Sequence, residues 1–486
     1  MTLLRRAVFP LALAAVVLAH LLVAVPSLVE LRLWEDEAFN LTVPLNLLRG
    51  LGYTSDGTLS GSQLTPFDPR ISTGPVVLLP VAAALATGAD MVLAGRSVIL
   101  LFFAALLVGL WLVGSRIGGK WAGLAAVAVP LGLDANASPS PLQGPADILG
   151  EIPAAALLVF ALAVLRSRPW LAGLFLGLAV QSKTIALLAA PALVLAVFLS
   201  EPGQTVRQRL RRLLPFVGMA AVPTALFALW QLIELGPAGF AVTTRHFVGF
   251  LLSGGQTGTW SPFEKLTALQ SDWRLPLAVT ALVALGALAH GLAAVMVLRR
   301  GGELPADVVA RTPRRDLVVL LAASALGLLT WLGWWLASAH TPVWIRHPSP
   351  GLFAFVPVLA AFVVLALRVV ARERQFRVRA VAIAGAAALT AVLAVQMAGH
   401  VGEVRSHTGE TLTDQRRVAA EIAALRVDWL AGVWGGTVSV TVMSGAHAAL
   451  VDAPDVADLP RIRHHAGLPC GSLLLAAGPY VVCEAP

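Results

Sequence analysis

Charge is what this sequence has least of. Only 13% of its 486 residues are Asp, Glu, Lys or Arg, against 57% hydrophobic, and the mean hydropathy is +0.80. No soluble multidomain protein needs that much apolar sequence. The chain also lacks a Gly-rich phosphate loop, a Ser nucleophile elbow and any internal repeat, so the enzymes and solenoids built on those devices are excluded. Period-2 alternation is absent, which removes a membrane β-barrel. Just two cysteines occur, both after residue 399, and neither sits in the spacing of a zinc site.

What remains is a succession of apolar runs, each of about 20 residues, the length that crosses the hydrocarbon core as a helix. Backbone groups in lipid must bond within their own segment, so the spans are expected to be helices. Eleven are expected, at 7–29, 90–114, 120–135, 145–165, 169–183, 184–200, 213–235, 276–298, 316–339, 350–370 and 380–398. The fold class is therefore an all-α polytopic membrane protein. With a cytoplasmic N-terminus at Arg5 and Arg6, the inner loops hold 20 of the 35 Lys and Arg but five of the 27 acids. Short basic inner loops satisfy the positive-inside rule, and this distribution, not nucleic-acid binding, accounts for the net charge of +8. The first run continues for about 23 residues with no A-x-A site after it, so it is read as a retained anchor and not as a signal peptide.

Residues 1–399 form the expected transmembrane module, and residues 400–486 a small extracytoplasmic α/β domain. In the latter "QRRVAAEIAAL" has the pattern of an amphipathic helix, "GTVSVTVMSG" of a strand, and "GSLLLAAGPYVVCEA" of paired strands about a Gly-Pro turn. Cys470 and Cys483 flank that last region in an oxidising compartment, where a disulfide is reasonable and two free thiols are the alternative. His447, His464 and His465 lack the companion ligands of a metal site and are expected at the surface.

The densest negative charge, Glu35, Asp36 and Glu37 in "LRLWEDEAFN", stands at the outer end of the first span. It heads a long external loop, 30–89, in which "AFNLTVPLNLLRG" and "VVLLPVAAALATG" suit helices lying along the membrane surface. Pro44 is expected to interrupt the first of these or to begin a second piece. An acid cluster framed by surface helices makes a catalytic shelf, or simply a solvated loop.

Here the residues carry a resemblance. "WEDEAFN", "LRGLGY", "GPVVLLPVAAALATG" and "LAGRSVILLFFAALLVGLWLVGSRIGGKWAGLAAVAV", followed by "ADILGEIPAAALLVFAL" and "AGLFLGLAVQSKTIALLAAPAL", resemble the N-terminal module of the GT-C membrane glycosyltransferases. The likeness is to the branch of the protein O-mannosyltransferases and the lipid A aminoarabinose transferases. It covers residues 1 to 200 well and 201 to 398 in topology only. The usual "PPL" start of the surface helix reads "TGPVVLLP" here. The resemblance implies a polyprenyl phosphate sugar as donor and Asp36, first acid of the D-E pair, as catalytic base.

The chemistry makes the same demand on the residues. Transfer to a hydroxyl needs a base about 3 Å from it as the anomeric carbon is attacked opposite the phosphate. Negative groups favour the oxocarbenium-like transition state, and positive groups or fixed donors hold the leaving phosphate. One such step inverts the anomeric centre. Glu37 is the reserve acid, for orienting the acceptor or pairing with a cation, and Glu35 is expected to face solvent. Asp147 and Glu151, four apart and expected on one face at the start of the fourth span, are candidates for acceptor or sugar binding, with helix-dipole capping as the alternative. Asp134 lies in the same external loop. Lys183, Arg346, His347 and Arg96 are the candidates for the donor phosphate, each with an anchoring role as its alternative. The loop 236–275 is expected to cover the site, with Arg245 and His246 as possible contacts to donor or acceptor. A monophosphate donor needs no metal, and no cofactor is expected.

The expected partners are thus the lipid-linked donor, a glycan, lipid or protein acceptor, and membrane lipid; the expected location is a bacterial inner membrane. The competing reading is a transporter or flippase for a lipid-linked substrate, favoured by His290 inside the eighth span. An inactive relative with an assembly domain is the third.

Overall fold

The computed structural model describes residues 2–57, 63–133, 144–201, 203–253, 258–272, 312–341, 343, 346–370, 376–406, 409–453, 456–464 and 470–485. The expected span 276–298 with His290, and Asp134 and His465, lie outside them.

The chain is an α-helical, multi-pass membrane protein with a small C-terminal sheet region. Its helices are α1 (Thr2–Val29), α2 (Glu35–Leu48), α3 (Pro75–Leu85), α4 (Met91–Gly118), α5 (Lys120–Leu133), α6 (Glu151–Val164), α7 (Pro169–Val180), a 3-10 turn over Thr184–Ala189, α8 (Ala190–Leu199), α9 (Val206–Ser253), α10 (Pro262–Asp272), α11 (Arg314–Ala337), α12 (Ser349–Val370), α13 (Phe376–Arg405), α14 (Leu412–Ala423) and α15 (Gly436–Ser444). Among the described residues six are long and apolar enough to cross a membrane, within α1, α4, α9, α11, α12 and α13. The expected spans at 120–135, 145–165, 169–183 and 184–200 are shorter helices of 10 to 17 residues. The central packing joins α4, α5, α6 and α12, whose apolar residues form the main core.

Three local expectations are corrected. Helix α2 runs unbroken through Pro44, whose missing N–H removes one hydrogen bond without ending the helix. Most of the segment 236–275 is not a loop: α9 turns at Gly236, which adopts φ 66, and continues to Ser253, and α10 follows. "GTVSVTVMSG" is α15, not a strand. Glycines bracket it, and Gly445 takes the left-handed conformation that closes a helix.

After α13 the chain builds a five-stranded sheet in the order β4-β3-β5-β7-β6, from β3 (Trp429–Gly432), β4 (His447–Leu450), β5 (Arg461–His464), β6 (Leu473–Ala477) and β7 (Tyr480–Cys483), the short pair β1 (Thr54–Ser55) and β2 (Thr65–Pro66) lying earlier in the chain. Strand β3 is parallel to β4 and β5, and β7 is antiparallel to β5 and β6. Cys470 and Cys483 are joined by a disulfide, and the amphipathic α14 lies where the sequence pattern puts it.

This C-terminal unit rests on the acid-bearing end of the bundle. Leu412 N–H donates to Glu30 O at 2.9 Å, and Arg416 pairs with Asp90 at 2.8 Å. Asp56 accepts from the Ala448 N–H at 3.0 Å and lies 2.9 Å from His447 Nδ1. Helix α15 packs against α2 itself.

Candidate active site

The three acids form the first turn of α2, where carboxylates oppose the positive end of the helix dipole. They then part company. Glu35, expected toward solvent, is half-buried and bound to Arg32 at 3.1 Å. Glu37 is fully buried and accepts four hydrogen bonds. Arg96 Nε and the Ile148 N–H reach its Oε1 at 2.9 and 3.1 Å, and Arg96 Nη2 and the Trp34 N–H reach its Oε2 at 2.7 and 3.0 Å. A carboxylate has about four acceptor sites, so none remains for a substrate proton.

Arg96 is equally spent. Its five N–H groups go to both Glu37 oxygens and to the carbonyls of Ser27, Leu31 and Arg32, each within 2.9 Å. Candidacy of Arg96 for the donor phosphate and of Glu37 as a second catalytic acid is therefore corrected, while the other role expected of Glu37, pairing with a cation, is the one it has: the pair is a buried cross-link between the first-span exit and α4. Asp147 belongs to the same buried region, with its Oδ2 accepting from the Gly144 N–H at 3.0 Å. It precedes α6, so it does not share a helical face with Glu151.

Asp36 points the other way. Its carboxylate pairs with Arg346, and the two side chains are 22% and 16% exposed, open enough to meet a ligand. The Arg346 guanidinium also lies 4.9 Å from the centre of the Trp34 ring. Its backbone is held by the Ser349 hydroxyl, which donates to Arg346 O at 2.6 Å.

A second ion pair stands close by, Lys183 to Glu151 at 2.8 Å. Lys183 also donates to Ser72 Oγ at 2.8 Å. Its turn is fixed by close backbone approach. A Cβ at Gly74 would fall 2.0 Å from Gln181 O, and one at Gly150 2.1 Å from Ser182 O. Glu151 is buried at the start of α6, and among the described residues its Oε2 has no hydrogen-bond partner.

His347 feels the charge of a cation from each pair. Burial, with the positive charges of Arg346, Lys183 and Lys265 around it, holds its pKa well below the ordinary histidine value. Its imidazole is accordingly neutral at pH 7. Lys265, on α10, donates to the carbonyls of Trp335 and Ser338, and burial lowers its pKa. Arg245, by contrast, is exposed on the second half of α9. Among the described residues no three His, Cys, Asp or Glu converge on a metal position.

No protein-family model and no curated protein sequence matches the chain. Solved structures do. ArnT from Cupriavidus metallidurans in the apo state matches 99% of this chain and 98% of its own, at TM-score 0.61 and 12% identity. The same enzyme bound to undecaprenyl phosphate gives 0.60 at the same coverage and identity. The oligosaccharyltransferase of Archaeoglobus fulgidus in the apo form matches 92% of this chain at TM-score 0.53 and 13% identity, and the chain spans 64% of that enzyme's length. The fold is that of the GT-C membrane glycosyltransferases.

Within this GT-C fold, five of the residues singled out from the sequence, Asp36, Glu151, Lys183, Arg346 and His347, come to one end of the bundle. Trp34, Ser72 and Lys265 join them there without having been singled out. Trp34 had a signal, an aromatic residue directly before the acids. Lys265 had none, because its neighbours come from α11 and from the turn before α12.

Proposed function

We propose that the chain is an inverting glycosyltransferase that moves a sugar from a polyprenyl phosphate donor to an envelope acceptor at the extracytoplasmic face, with Asp36 as base. The observation that carries this reading is the half-buried Asp36–Arg346 pair beside Lys183, Glu151 and His347. A base and a set of cations stand together where a sugar phosphate needs both. Neighbours of the same fold hold undecaprenyl phosphate in one case and dolichol phosphate with an inhibitory peptide in another, which supports a lipid phosphate as ligand.

The mechanism follows from the pairing. An arriving phosphate competes for the Arg346 guanidinium, which binds phosphate oxygens bidentately, and Lys183 adds a point charge. Drawing Arg346 toward the phosphate frees Asp36 to take the acceptor proton. The cations then stabilise the departing polyprenyl phosphate. The unpartnered Glu151 Oε2 is the acceptor for a sugar hydroxyl. The positive-inside pattern supports a cytoplasmic N-terminus, which puts this end of the bundle and the C-terminal unit outside.

The test is transfer of radiolabelled sugar from a panel of polyprenyl phosphate donors into membrane acceptors, comparing the native chain with Asp36→Asn. Transfer by the native chain and its loss in the variant, with donor binding kept, is expected. No donor consumption, or equal transfer by both, removes the enzyme reading in favour of transport.

A further inference from the structure

We propose that Gln415, in the C-terminal unit, is the positioning residue of the acid-bearing turn, fixing the backbone on both sides of Leu33 and through it the setting of Trp34 and Asp36. The inference rests on the reading of Asp36 as the base.

Gln415 is fully buried on α14 and lies 382 residues from Leu33. Its Oε1 accepts the Leu33 N–H at 2.6 Å, and its Nε2 donates to the Leu33 carbonyl at 3.1 Å. Both backbone polar groups of Leu33, one in the peptide before its Cα and one in the peptide after it, are thus held by one carboxamide. The second Nε2 hydrogen goes to Glu410 Oε2 at 3.1 Å, an oxygen that also accepts the Tyr480 hydroxyl at 3.0 Å. That third bond removes the ambiguity of the amide. Flipping the carboxamide would set its NH2 against the Leu33 N–H and its oxygen against the Leu33 carbonyl and a carboxylate, losing all three bonds.

Residues 32–34 form no regular structure, so side chains must satisfy their backbone. Arg96 takes the carbonyls of Leu31 and Arg32, Gln415 takes both groups of Leu33, and Glu37 takes the Trp34 N–H. The linker is held from the bundle on one side and from the C-terminal unit on the other. Its last residue, Trp34, carries the ring under Arg346, and Asp36 follows two residues on. Rotation of the backbone about Leu33 therefore moves Trp34 and the base together against Arg346. A displacement of about 1 Å at a reacting group costs on the order of 100-fold in rate.

The experiment uses the full-length chain in detergent, with hydrogen exchange over residues 31–37 and steady-state kinetics with a polyprenyl phosphate sugar. Gln415→Met keeps the length and volume of the side chain and removes all three bonds. It is expected to raise exchange at Leu33 and Trp34 by about tenfold or more while β3 and β5 stay protected. Its kcat should fall by about 10- to 100-fold with donor KM within about threefold of wild type, the split expected of a group that orients the base and not of one that binds donor. Arg416→Ala, the next residue on the same helix, breaks the exposed pair with Asp90 and leaves the clamp intact; exchange at Leu33 and kcat should stay as in wild type. If the Met variant does not fold, Gln415→Asn, which withdraws the amide by one methylene, is read by the same two measurements. Unchanged exchange at Leu33, unchanged kcat, or equal losses in Arg416→Ala would overturn the proposal. A wild-type chain that consumes no donor sinks the base reading instead, while exchange still decides whether Gln415 holds Leu33.

Discussion

Asp36 and Arg346, 310 residues apart, meet as an ion pair at the acid-bearing end of the bundle, with the guanidinium stacked on Trp34. One side chain is the proposed base and the other the proposed phosphate anchor, so the two variants should fail differently. Asp36→Asn should lower kcat by about 10² to 10⁴-fold, the usual worth of a positioned general base, with donor affinity retained. Arg346→Ala should weaken donor binding as well as kcat. Equilibrium binding of polyprenyl phosphate to both proteins, beside their turnover, separates the two roles.

Glu37 and Arg96 make the opposite prediction. Both side chains are fully buried and share two hydrogen bonds, and backbone groups take the remaining capacity of each. Removing one partner from such a pair leaves an uncompensated buried charge and costs about 3–5 kcal/mol. Arg96→Met and Glu37→Gln should therefore lower the melting temperature and the yield of folded protein, whereas Asp36→Asn should melt as wild type does. A melting curve of Arg96→Met that overlays the native one would mean the pair is not structural.

The contrast between these neighbours shows what was legible in the sequence and what was not. The apolar runs, the position of the acids, the amphipathic α14 and the hairpin of β6 and β7 could all be read, because each depends on residues close in the chain. The resemblance set Asp36 apart as base, but which role Glu37 takes and what partners Asp36 could not be read, since those depend on Arg96 and Arg346, 59 and 310 residues away. Arg96 was singled out correctly as an arginine that must find a partner, and the partner was an acid of the motif, not a phosphate. In α15 the β-branched residues of "TVSVTV" suggested a strand. Burial against α2 and α14, with glycines at both ends, overrode that propensity.

The disulfide closes a 13-residue separation onto the final strand. Constraining the unfolded chain over a loop of that size is worth about 3 kcal/mol. Reduction, or Cys470→Ala with Cys483→Ala, should lower the unfolding temperature of the C-terminal unit, while the membrane helices, which share no covalent link with it beyond the chain itself, keep theirs. Thermal scans with and without reductant check this. Identical transitions would show that the pair contributes nothing to stability.

His347 gives the pH dependence. Burial and three surrounding cations depress its folded pKa well below 6.5, so the folded protein stays unprotonated where the unfolded chain binds a proton. The unfolded state then holds more protons below pH 6.5, and stability falls as pH drops through that value, by at most about 1.4 kcal/mol per unit, with no contribution above it. His347→Gln should flatten the part of the melting-temperature profile just below pH 6.5 and leave the neutral range unchanged. Bound phosphate acts with the opposite sign. An anion among Arg346, Lys183 and His347 offsets the cations and raises the imidazole pKa, so a polyprenyl phosphate sugar, whose phosphodiester keeps one charge across this range, should bind native protein more tightly as the pH is lowered toward 6, and the Gln variant with a flat profile. Titrations of ligand affinity from about pH 6 to 8 on both proteins decide it, and a flat native profile would place the phosphate away from His347.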